Sequence, residues 1–363
     1  MLRSWTALAV VGLVVMGCDG HYRVGAMGEE QALAGAGGSM SVMPSWGGSD
    51  EVDDGELGSQ CVPSGMPEDL GGMLALPEVV WNRLSPVIWG DAAPPPSELP
   101  AQSSAEWADE IASQALDQAV EERGEIPGAG VFVRKWLRFP TGSELSRDWG
   151  EALASETPAL HLLLATPLSD TRRIGAFSEQ AWLAAYPAIS TRGFLMLQAL
   201  FGQFIPPEPD GLDSDVPTVP GFSRREQLAA NVSSPSCAQC HDLIDPLGIS
   251  LEHFDADGLY RDYDAGRLVD ASNSYLLRVS DRMITFSDVG ELGSKLENSC
   301  DANLGLASEF LRLAVGNHEA AAQVMSPEYK ADRARVQQGF IRGGRSYRAL
   351  VRAYAQSAAV LLP

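Results

Sequence analysis

Cys237, Cys240 and His241 stand in the run SPSCAQCHDLIDPLG, a C-x-x-C-H pattern. Two thiols at this spacing can add to the two vinyl groups on one porphyrin edge, and the imidazole of the next residue then reaches the iron, so the pattern reads as a covalent c-type haem site. Five Cys and five His shuffled through 363 positions produce it by chance in only about one chain in a thousand. One covalent haem c is therefore expected, attached at Cys237 and Cys240 and ligated by His241. A protein metal site or a plain disulfide is the alternative.

The rival chemistries lack their other parts. A redox-active C-x-x-C belongs beside a βαβ pattern, and no such pattern surrounds this one. A structural zinc needs four ligands, and after Cys237, Cys240 and His253 no spaced His or Cys pair completes the set. In FDADGLYRDYD, Asp255 and Asp257 suggest calcium, but Leu259 and Tyr260 stand where an EF-hand loop continues with an acid or amide and glycine. His318-Glu319 begins H-E-x-x-H, but the second histidine is replaced by Ala322. The second axial position of the iron stays open. Met196, Met283 and Met325 offer thioethers, and His161, His253 and His318 offer imidazoles. Met283 is preferred, because it is expected in a polar loop C-terminal to the motif; a vacant position is the alternative.

A third chemistry is expected at Cys18. The start MLRSWTALAVVGLVVMGC carries Arg3, an apolar stretch from Trp5 to Met16, and then Gly17-Cys18. That stretch is shorter than the roughly 20 residues a spanning helix needs, but it suits the core of a signal peptide. Val15-Met16-Gly17-Cys18 resembles a bacterial lipobox, which makes residues 1–17 the signal peptide and Cys18 the lipidated residue. Residues 18–72, rich in Gly, Ser and acid, have no helical or strand period and read as a flexible tether. Export and haem attachment then point to the same compartment, outside the inner membrane. Cys61 and Cys300 are left over, an even pair in an oxidising compartment, either bonded or both free.

The elements that must position these residues are helical. Trp81, Leu84, Val87 and Ile88 recur at helical spacing, with Pro86 as a kink or break. Ser103 and Glu106 predict a capping box for a helix with Trp107, Ile111, Ala115 and Ala119 on one face, ending near Gly124. VFVRKWLRF and the stretches 150–165 and 178–205 add apolar helical segments divided by prolines. Lys330, Arg333, Arg335, Arg342, Arg345, Arg348 and Arg352 crowd a C-terminal region, where they either pair with acids and haem propionates or form a docking patch. The balance of Lys+Arg 26 against Asp+Glu 48, a net charge of −22, makes nucleic acid an unfavourable partner.

From CAQCHDLIDPLGISLEHFDADGLYRDYD the chain resembles the exported cytochrome c-like proteins of unassigned function found in planctomycetes and myxobacteria, the domain-of-unknown-function families 1592, 1588 and 1585. Asp245, Pro246, Gly248, Glu252, Phe254, Asp255, Gly258 and Arg261 match the family's D-P-x-G, E-N-F-D and G-x-x-R pattern, with His253 in place of the usual asparagine. NRLSPVIWG, RRIGAFSEQAWLA, RGFLMLQALFGQFIPPEP and the C-terminal helices extend the likeness from about residue 76 onward. Longer relatives carry a further cytochrome-like segment upstream, where this chain has the tether. The resemblance implies a helical, exported haem protein, with Pro246 and Arg261 at the cofactor, and it supplies no reaction.

The expected architecture is mainly α. A helical domain over 73–190 precedes a cytochrome c-like helical domain over 191–363, which carries a small irregular or β insertion. The leading functional expectation is a lipid-anchored monohaem cytochrome passing electrons to a redox partner protein. It would face the periplasm or cell surface of a Gram-negative bacterium, held to the inner or outer membrane only through its lipid. The alternatives are a haem enzyme, peroxidase-like or the electron outlet of a dehydrogenase, and a surface lipoprotein with a structural haem.

Overall fold

The computed structural model describes residues 61, 74–139, 145–203, 205, 219–232, 235–316 and 327–363. Cys18, His318, Met325 and the expected signal peptide lie outside the described residues, as does most of the expected tether.

The first helices are α1 (Pro77–Trp89), α2 (Ala105–Arg123), α3 (Pro127–Trp136) and α4 (Leu145–Ala152). Helix α1 runs through Pro86 and ends at Gly90, whose positive φ of 83° lets its N–H reach the Pro86 carbonyl. The expected cap of α2 moves by one residue: Ser104, not Ser103, accepts from the Trp107 N–H. Ser103 is buried and donates instead to the Ala75 carbonyl at 2.7 Å, satisfying a buried backbone acceptor. The helix closes at Gly124 as predicted.

The segment 178–205 divides at Pro187 into α5 (Gln180–Ala185) and α6 (Ile189–Phe201). Then follow α7 (Arg224–Asn231) and α8 (Pro235–Ile249), which carries the C-x-x-C-H motif. Two antiparallel hairpins come next: β1 (Tyr263–Asp264) with β2 (Arg267–Leu268), and β3 (Asn273–Leu277) with β4 (Arg282–Phe286). In the second hairpin Tyr275, Leu277, Ile284 and Phe286 face inward and Leu276 and Met283 face out, the period of a half-buried ribbon. The chain ends with α9 (Val289–Leu296), α10 (Cys300–Ala314), α11 (Pro327–Arg342), α12 (Tyr347–Ala355) and α13 (Ala358–Leu361).

The mainly α reading with a small β insertion therefore holds. Buried apolar residues from Ala75 to Leu361 form one continuous cluster, with α3 against α10 and α2 against α12. Phe132, Trp136, Phe177 and Trp182 sit at its centre, and the two indole N–H groups donate to the carbonyls of Ala199 and Leu137. The backbone closes on itself where the Ala75 N–H donates to the Leu361 carbonyl at 2.7 Å. Cys61 and Cys300 are joined by a disulfide with a Cα separation of 5.2 Å, which decides the alternative left open by the sequence.

Candidate haem-attachment site

Cys237, Cys240 and His241 occupy positions i, i+3 and i+4 of α8, so helical geometry alone gathers them on one face. Both cysteines are half-buried, and neither belongs to the Cys61–Cys300 disulfide. Burial raises the Cys240 thiol above its ordinary range, and the neighbouring Cys237 adds to the effect. A nucleophilic redox cysteine needs the opposite shift, so this thiol is poorly suited to disulfide exchange.

His241 is buried, and its orientation is set one helical turn further on. Its Nδ1 lies 2.9 Å from Oδ2 and 3.1 Å from Oδ1 of Asp245, also buried. Ser190, in the first turn of α6, donates its hydroxyl to Asp245 Oδ1 at 2.8 Å and stands 3.4 Å from Nδ1. A carboxylate accepts only, so Nδ1 carries the proton, and in that tautomer Nε2 holds the lone pair that a metal would take.

Helices α6 and α8 are brought together by two glycines. A β-carbon on Gly193 would meet the Ile244 carbonyl oxygen at 1.9 Å, and one on Gly248 would meet the Ile189 carbonyl oxygen at 2.1 Å. The backbones thus cross in direct contact, and Ser190 reaches Asp245 across that crossing. Pro246 stands half-buried within α8, where it has no N–H to return to the Asp242 carbonyl.

A second cluster anchors the C-terminal end of α8. Arg192 is fully buried and donates to the carbonyls of Leu183, Tyr186, Phe254 and Asp255. Burial and the nearby Arg224 bring its guanidinium down to about 9, which leaves it charged at neutral pH. Glu252 is buried too; Arg261 reaches its Oε2 at 3.1 Å and its backbone carbonyl at 3.2 Å, and pairs with Asp264 at 2.7 Å. Asp255 Oδ1 accepts from the N–H groups of Asp257 and Leu259, so this aspartate closes a turn. Gly258 completes that turn at φ 72°, where a β-carbon would strike the Gln180 carbonyl. Arg173 then donates to the Ser178 and Gly258 carbonyls, tying the turn to the segment before α5.

Residues 173–264 match the family model described as PSCyt3, protein of unknown function (DUF1588). The matched segment covers about a quarter of the chain. It begins at Arg173 and ends at Asp264, the outermost members of the polar network just described. The glycine crossing, Ser190, the C-x-x-C-H helix and the Glu252–Arg261 pair all fall inside it. No curated protein and no solved structure matches the chain.

The other sequence candidates are dispersed. Met283 lies on strand β4 rather than in a loop, exposed opposite Leu276. Met196 is buried on α6 beside a small apolar cavity lined by Leu163, Phe177 and Leu292. His161 pairs with Glu297 at 2.6 Å, and His253 stacks on the Tyr260 ring at 5.3 Å between centroids. Among the described residues no three or more His, Cys, Asp or Glu side chains are gathered to hold a metal ion; a haem needs no such cage, because the porphyrin holds the iron. Of the C-terminal arginines, Arg348 pairs with Asp117 and Glu156, Arg352 with Asp109 and Arg335 with Asp332. Pairing with acids elsewhere thus accounts for Arg348 and Arg352, while Arg335 pairs within its own helix.

Ser190 and Arg192 do not stand out in the sequence, and Asp245 does so only as part of a pattern. Asp245 carries a signal of its own, since an acid four residues after a histidine on a helix lies on the same face. Ser190 carries none, being 51 residues from His241.

Proposed function

We propose that the chain is an exported, lipid-anchored, monohaem c-type cytochrome-like protein that passes electrons to a redox partner. The observation that carries this reading is the α8 face on which a C-x-x-C-H motif has its imidazole Nδ1 occupied by Asp245. That donor set fits haem c: two half-buried thiols on one face, and one imidazole held through Nδ1 by a carboxylate. The Cys237 and Cys240 thiols would each add S–H across a vinyl group, forming a C–S bond while the proton goes to the neighbouring vinyl carbon. When bound, the haem supplies a one-electron redox centre. Asp245 holds the Nδ1 proton, and the α6–α8 crossing keeps the imidazole from turning.

Export is supported by the Cys61–Cys300 disulfide, because such bonds persist in oxidising compartments. Among the described residues no helix is long and apolar enough to cross a membrane. The proposed membrane link is a lipid on Cys18, supported by the lipobox-like Val15-Met16-Gly17-Cys18. The carboxylate behind His241 also suits a second reading, a haem enzyme with an open sixth position.

The test is expression of the full chain with an intact haem-maturation system. Haem staining after denaturing electrophoresis is expected for the wild type and is expected to vanish for Cys237→Ser with Cys240→Ser; a colourless wild type overturns the reading. Carbon monoxide binding to the ferrous form separates the enzyme from the electron carrier. Mass spectrometry of the mature chain, beginning at a lipid-modified Cys18, tests the anchor.

A further inference from the structure

Asp245 is a buried carboxylate whose hydrogen-bond partners among the described residues are His241 and Ser190. No arginine or lysine among the described residues forms an ion pair with it, in contrast to Glu252, which faces Arg224 and Arg261. A buried anion without a cation is costly to keep, since the low-dielectric interior penalises its charge. Of its two partners, the imidazole is the one able to share that charge. The arrangement therefore does something that a neutral acceptor, such as a backbone carbonyl, would do only weakly.

We propose that Asp245, braced by Ser190, is a positioning residue that makes His241 Nε2 an electron-rich ligand and so sets the potential of the bound iron low. This inference rests on the haem reading above. A full negative charge at hydrogen-bond distance from Nδ1 pulls on its proton, which raises the basicity of Nε2 on the same ring. A more basic ligand favours ferric over ferrous iron. Ser190 tempers the effect: its hydroxyl proton goes to Asp245 Oδ1 and draws charge from that oxygen before the imidazole feels it. It also fixes the carboxylate plane from α6, across a crossing where the backbones already touch.

The two residues therefore act with opposite sign, which a merely structural role does not produce. Asp245→Asn keeps the size and an oxygen acceptor but removes the charge. In the haem-loaded full chain its midpoint potential is expected to rise, shifting the reduction equilibrium about tenfold, or about 59 mV for one electron. Ser190→Ala is expected to move the potential the other way by a smaller factor, with covalent haem content unchanged. Potentiometric titration of the visible spectrum reads both. An Asp245→Asn protein that stains for haem yet keeps the wild-type potential overturns the proposal. Should that variant fail to mature, Ser190→Ala carries the test, and an unchanged or raised potential overturns the proposal equally. A wild type that carries no haem is a different result, which overturns the haem reading and this inference with it.

Discussion

Gly193 of α6 rests against the carbonyl of Ile244 on α8 so closely that a β-carbon at 193 would lie 1.9 Å from that oxygen. Gly248 returns the contact from the other helix, 2.1 Å from the Ile189 carbonyl. Both obstacles are backbone, which cannot rotate away as a side chain would, so this crossing fixes the distance between the helix of Ser190 and the helix of His241.

Gly193→Ala is accordingly expected to force the helices apart. Overpacking a well-filled site costs about 1–3 kcal/mol, and a backbone clash belongs at or above the upper end. Urea denaturation should show a loss of about 3 kcal/mol, with reduced haem incorporation, because Ser190 and Asp245 sit on opposite sides of the same crossing. Wild-type stability in this variant would contradict the packing described.

The Cys61–Cys300 bond joins residues 239 apart in sequence. Removing a native disulfide typically costs about 2–5 kcal/mol. Cys61→Ser with Cys300→Ser should lower the denaturation midpoint by a corresponding amount while leaving haem staining intact. Alkylation of the unfolded, unreduced protein should label neither cysteine, and reduction should expose both.

Glu252 predicts a pH dependence of stability. Burial raises its carboxyl above the ordinary glutamate value, more than Arg224, Arg261 and Arg192 lower it. In the window between its unfolded and folded pKa, the native state binds more protons than the unfolded one, so stability falls as pH rises. The stabilising contribution is complete below the unfolded value of 4.5 and is lost as pH climbs through the folded one. Glu252→Gln removes this slope, so wild-type stability relative to the variant should decline from about pH 4 upward. A relative stability that instead increases with pH would show that the arginines outweigh burial.

Arg352 grips Asp109 through Nε at 2.9 Å and Nη2 at 2.7 Å, linking α12 to α2 at the surface. Half-exposed pairs of this kind contribute little, about 0.2–1 kcal/mol. A double-mutant cycle with Arg352→Ala and Asp109→Ala should return a coupling in that range, shrinking as salt is added. A coupling of several kcal/mol would mean that the pair is screened from solvent far better than its exposure implies.

The C-x-x-C-H face is legible in the sequence because a helix turns about every 3.6 residues, and local spacing alone brings Cys237, Cys240, His241 and Asp245 to one side. The end of α2 at Gly124 and the division at Pro187 are legible for a related reason: a glycine free to adopt positive φ and a proline without an N–H act on their own neighbours. The cap of α2 falls one residue from its expected place because Ser103 and Ser104 are chemically equivalent, and only the buried Ala75 carbonyl decides which of them is drawn away. Ser190 behind Asp245, Arg192 beneath the turn at Asp255, and the bond between Cys61 and Cys300 belong to the tertiary structure alone. Each joins residues dozens to hundreds of positions apart, and no periodicity in a chain encodes such a distance. Packing selects those contacts, because a buried carbonyl, carboxylate or guanidinium must find its partner in whatever segment the core has brought beside it.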